Sequence, residues 1–160
     1  MTPASSNNLN APASMLQSPQ RRLSILLWLV ALHSLAVGIG LIAAPDSLLS
    51  FFGFPFGGER FFRAQAGVFH FVMVVVYLMA ASRFVVSSDS TYLAITAKMM
   101  AMVFLVFYYL LVSQVWMILI SGIGDGAMGL LILWGYRSFR RSLSSPSRGA
   151  AGEGRLAIDD

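Results

Sequence analysis

The 160-residue chain has no cysteine, which excludes disulfides, thiolate metal sites and cysteine nucleophiles and leaves no trace of a redox compartment. Charge is scarce as well. Asp, Glu, Lys and Arg make up 11% of the residues, where soluble domains carry about 25%. Only two histidines are present and there is no His-Glu-x-x-His pattern, so no metal site is expected. Phosphate-binding loops are also missing. "GIGDGAMG" (122–129) has glycine spacing of that kind, yet it lies in an apolar run with no preceding strand and no following Lys-Ser or Lys-Thr. A serine hydrolase has only Ser34 and Ser121 as deep nucleophile candidates, a poor basis for a triad.

In place of these features the chain has hydrophobicity. Apolar residues reach 57% and the mean hydropathy is +0.72, against about 45–50% apolar in soluble domains. Several runs match the roughly 20 helical residues that cross a hydrocarbon core of about 30 Å. Spans are expected at about 23–44, 64–81, 91–112 and 115–136. They must be helices, because backbone groups in lipid are satisfied within the segment and the runs lack the alternating polarity of barrel strands. The first run exceeds the 7–15 residues of a signal-peptide core and reads as an uncleaved span, with cleavage after Ala44 as the alternative. The expected fold is an all-α integral membrane four-helix bundle occupying 21–141. Uncharged Ser/Asn/Pro-rich residues 1–20 and Ser/Gly-rich residues 142–160 read as disordered tails.

The net charge of +4 does not indicate nucleic acid, because the arginines sit at the ends of apolar runs and not along one polar face. Arg21, Arg22, Arg83, Arg137, Arg140 and Arg141 fall on one side of four spans, and Arg60 and Arg63 on the other. The positive-inside rule then puts both termini in the cytoplasm and the protein in the cell membrane. Between the first two spans, "PDSLLSFFGFPFGGERFFR" (45–63) reads as a short interfacial helix opened by Pro45 and broken by "GFPFGG". A lid over a binding cavity is the alternative.

Each span carries one ionisable side chain: His33, His70, Lys98 and Asp125. At 1.5 Å per residue, His33 and Asp125 lie about 15 Å from their nearest span ends, Lys98 about 10 Å and His70 about 9 Å. Ionised groups at such depth are costly and need a reason. Ser121, Gly122, Asp125, Gly126 and Gly129 share one helical face, so Asp125 points at protein; Gly40 and Gly67 are read as packing positions of the same kind. The simplest account is a Lys98–Asp125 pair that fixes helix register, with hydrogen-bonded neutral histidines (Ser34 is an available partner) and a snorkelling Arg63. The functional account groups His33, Arg63, His70, Lys98 and Asp125 as a ligand site.

"GIGLIAAPDSLLSFFGF" (38–54) followed by "RFFRAQAGVFH" (60–70) resembles the small four-helix membrane proteins grouped around DoxX. The resemblance implies family-like positions at Pro45, Gly53, Arg63 and Gly67, and an accessory role in quinone-linked or other membrane redox systems. Three function classes follow. An accessory bundle binding a lipid or quinone leads. Next is a membrane-embedded enzyme doing proton-transfer or redox chemistry on a lipid-soluble substrate. Haem held by His33 and His70 is disfavoured, because their depths differ by about 6 Å. The bilayer is the first partner, with a membrane redox partner or a homo-oligomer beside it; a purely structural bundle is the remaining alternative.

Overall fold

The computed structural model describes residues 11–55, 60–83 and 88–144. All regular elements among them are helices: α1 (Ala11–Ala43), α2 (Asp46–Phe51), α3 (Arg60–Arg83), α4 (Ser88–Leu111) and α5 (Trp116–Ser144). α1, α3, α4 and α5 are long and apolar enough to cross a membrane. This is an all-α, multi-pass architecture. α1 is described from Ala11, within the stretch 1–20 read from composition as a tail, and the apolar span itself starts at Pro19. Residues 1–10 and 145–160 lie outside the described residues, and α5 runs on to Ser144.

Chain chemistry sets the boundaries. α1 stops before Ala44-Pro45, because a proline disfavours helical backbone at the residue before it. The Pro45 carbonyl then accepts from the N–H groups of Leu48 (3.0 Å) and Leu49 (3.2 Å), starting α2. α2 ends at Gly53, whose φ of +88° is open to glycine without strain. Its N–H donates to the Ser50 carbonyl, and that of Phe54 to Leu49. The α4–α5 connection is short: the N–H groups of Val112 and Ser113 both donate to the Tyr108 carbonyl before α5 begins.

The helices pack as two extensive pairs, α1 with α3 and α4 with α5, and the pairs meet through smaller α1–α5 and α3–α4 contacts. Glycine makes each pair close. A Cβ on Gly67 would lie 2.8 Å from the Gly38 carbonyl oxygen and 2.6 Å from Ile42 Cγ1. In the second pair Gly122 faces Leu105, Gly126 faces Met102, and Gly129 faces Met99 and the stem of Lys98. Backbone approach of this kind drives helix association where lipid is as apolar as the side chains. Gly67, Gly122, Gly126 and Gly129 are therefore positions of close approach; at Gly40 nothing lies within 4 Å of a placed Cβ, and Gly38 is the α1 glycine that meets α3.

Burial is uneven along the bundle. The half that carries the chain ends, called here the terminal half, is closed by Leu23, Leu27, Ala80, Ala94, Ile132 and Tyr136 among others. The opposite half, which carries α2, has few buried side chains. On α3 one face reads Tyr77 and Met73 buried, His70 half-buried and Ala66 exposed; α4 has no buried residue beyond Lys98. On α5, Ser121 is exposed although Asp125, one turn away on the same face, is buried. Buried side chains are thus dense in the terminal half and sparse in the α2 half, where α5 still buries Ile118.

α2 and the turn after it bridge the two pairs at this end. Phe52 meets Trp116 edge-on at 6.3 Å between ring centroids, and Gly53 approaches Val115 and Trp116 closely enough that a Cβ would lie 3.3 Å from each. The α1–α3 connection is thereby tied to the start of α5.

Candidate intramembrane polar site

Four of the ionisable side chains of the spans, His33, His70, Lys98 and Asp125, stand near mid-span, where the dense burial of the terminal half ends. Register follows from two antiparallel seams. Leu23 of α1 lies against Gly135 of α5, so ten residues further along each helix, about 15 Å, His33 stands at the height of Asp125. Ser24 donates to the Ala81 carbonyl (3.1 Å), which sets the same antiparallel register that brings Ser34 to His70.

The strongest contact is between Lys98 and Asp125: Nζ donates to Oδ1 at 2.5 Å, with the lysine side chain 3% and the aspartate side chain 12% exposed. Gly129 makes the pair fit, because a Cβ there would lie 3.2 Å from Lys98 Cβ. Lys98 Nζ also stands 5.6 Å from the centroid of the Tyr77 ring, within range of a cation–π attraction. Each charge thus has a close partner, and neither faces hydrocarbon alone.

The second contact joins α1 and α3. Ser34 Oγ lies 3.0 Å from His70 Nδ1 and 3.3 Å from the His70 carbonyl oxygen. Ser34 is buried and His70 half-buried. His70 Nε2 has no hydrogen-bond partner among the described residues, nor does the His33 ring or Asp125 Oδ2. These three groups are not sealed, since the single buried polar side-chain atom without a partner among the described residues is Thr91 Oγ1, in the terminal half.

Of the five residues grouped from the sequence (His33, Arg63, His70, Lys98 and Asp125), the structure pairs Lys98 with Asp125 and joins His70 to Ser34. His33 differs. Its ring is exposed, because one residue on a helix turns the side chain by about 100° from the buried Ser34 direction. It sits on the flank of α1 away from Gly38 and α3, at the height of Asp125. Arg63 lies apart from the group. Seven residues from His70 and about 10 Å further along α3, it pairs with Asp46 of α2 at 3.6 Å, as Arg60 does at 3.7 Å. These contacts hold α2 against α3; the role of Asp46 was not signalled by any spacing in the sequence.

An apolar groove of about 380 Å³ runs along the outside of α1 and α3, lined by Trp28, Leu32, Leu35, Val74 and Leu78 among others. It faces away from the polar group. Its chemistry suits acyl chains and offers no polar anchor. No group of three or more His, Cys, Asp or Glu among the described residues is arranged to hold a metal ion. Compared with protein-family models, with curated proteins and with solved structures, the chain matches none.

Proposed function

We propose that this multi-pass membrane protein is an accessory binding protein that holds a lipid or quinone between its two helix pairs, with the polar end of the ligand at His33, His70 and Asp125. One observation carries the reading. Three hydrogen-bonding groups without a partner among the described residues, the His33 ring, His70 Nε2 and Asp125 Oδ2, stand at one height mid-span, where dense burial ends. An unpaired polar group there costs free energy that a ligand or trapped water offsets. Lys98 fixes the aspartate, Ser34 fixes His70, and Arg63 and Asp46 keep α2 across the open end. The likeness of residues 38–54 and 60–70 to the DoxX group supports an accessory role beside a membrane redox partner, and the arginine distribution supports cytoplasmic termini in the cell membrane.

Mass spectrometry of the protein released from mild detergent tests the reading. A stoichiometric small molecule retained by the parent and lost on His33→Ala and Asp125→Asn is the expected result. Bulk lipid alone in parent and folded variants would overturn it. A second reading, in which the pair only sets register, is favoured by the burial of Lys98 against Gly129. It expects the charge swap Lys98→Asp with Asp125→Lys to restore the folded yield lost in each single change, with no ligand in any form.

A further inference from the structure

We infer that the intramembrane site selects an uncharged head group, an alcohol, ester or ketone oxygen on an apolar chain, and rejects anionic and cationic amphiphiles of the same chain length. The inference rests on the proposed binding site and adds the charge class of its ligand.

The argument is one of charge balance. The ionisable groups around the site are His33 on α1, His70 and Tyr77 on α3, Lys98 on α4 and Asp125 on α5. Lys98 and Asp125 form a 1:1 pair at 2.5 Å and cancel each other. Arg60, Arg63 and Asp46 stand at the end of α3 and on α2, outside this set. A net charge on the ligand would therefore have no counter-charge at mid-span, where an isolated ion is strongly disfavoured. An uncharged oxygen suits the free groups. A neutral imidazole offers one donor and one acceptor, and Asp125 Oδ2 accepts from a hydroxyl. Steric access matches: Ser121 and Ala66, one turn from Asp125 and His70 toward α2, are exposed, and Leu23, Leu27 and Ile132 fill the terminal side.

The test uses one tail with three fixed heads. Hexadecanol, hexadecyl sulfonate and hexadecyltrimethylammonium, each with a photoreactive diazirine beside the head, are added at tracer level to the full-length protein in nanodiscs at pH 8, above the ordinary imidazole range of about 6.5. Crosslinking to the peptides carrying His33 and Asp125 is counted. The alcohol is expected to label these peptides in preference to either ion by on the order of 100-fold. Asp125→Asn leaves the lysine unbalanced and reverses the preference toward the sulfonate; Lys98→Gln reverses it toward the ammonium. The double variant Lys98→Gln with Asp125→Asn is again uncharged and keeps the alcohol preference, so the inference stays testable where a single change fails to fold. An ion preferred by the parent, or equal labelling by all three, overturns the charge class and leaves the binding site standing. Absence of labelling by any probe at these peptides overturns both.

Discussion

The two halves of this bundle are built from the same four helices and differ in what lies between the pairs. In the terminal half, Leu23, Leu27, Ala80, Ala94 and Ile132 fill the space, and each is at most 1% exposed. In the α2 half the corresponding faces of α3 and α5 present Ala66 and Ser121, which are exposed, and the pairs are joined across the end by Phe52 on Trp116. Alanine serves in both halves, buried at Ala80 and Ala94 and exposed at Ala66, so the halves differ in how closely neighbouring helices surround the same side chain. The densely buried half is called here the clamp and the sparsely buried half the cleft, with the Lys98–Asp125 pair at the boundary.

The largest expected effect lies at that boundary. Lys98→Met or Asp125→Leu leaves one charge buried without a partner and should cost about 3–5 kcal/mol, read as lost folded yield or a lowered Tm in detergent. The double variant Lys98→Met with Asp125→Leu removes both charges and should recover most of the loss. Next comes the clamp. Leu27→Ala, at a site with 0% exposure, should cost about 2–4 kcal/mol because packing contacts vanish and a cavity remains. The same class of change in the cleft, Leu41→Ala on the half-buried part of α1, should cost under about 1 kcal/mol. Equal losses at Leu27 and Leu41 would remove the distinction between the halves. The smallest effect is expected at the tie of α2. Asp46 is 43% exposed and Arg60 80%, so Asp46→Asn should change stability by no more than about 1 kcal/mol, and by less at high salt.

Much of this arrangement is legible in the sequence. Four apolar runs of span length give the helices, and the glycines flanking Asp125 at three- and four-residue spacing give the face that meets α4. Lys98 and Asp125 are mid-span ions of opposite sign, and pairing is the least costly arrangement for them. What stays hidden depends on helix phase and on contacts between distant segments. His33 and Ser34 are adjacent, and only the position of α3 decides that the serine is buried and the histidine exposed. Gly38 and Gly40 look equivalent in sequence; the approach of Gly67 selects Gly38. Asp46 pairs with arginines fourteen and seventeen residues away through a turn whose geometry no periodicity encodes. The thinning of burial toward the α2 end depends on how the four helices approach one another, and no single run reveals it.

The contrast between clamp and cleft is tested most directly by one substitution made twice on the same helix. Ala66 and Ala80 lie four turns apart on α3, close to the same face, with Ala66 exposed in the cleft and Ala80 at 0% exposure in the clamp. Ala80→Leu should strain the packed half by about 1–3 kcal/mol and lower the detergent Tm by roughly 5 °C or more, whereas Ala66→Leu should leave Tm within about 1 °C of the parent. Similar losses at both positions would mean that the α2 half is packed like the terminal half, and the cleft would have to be given up.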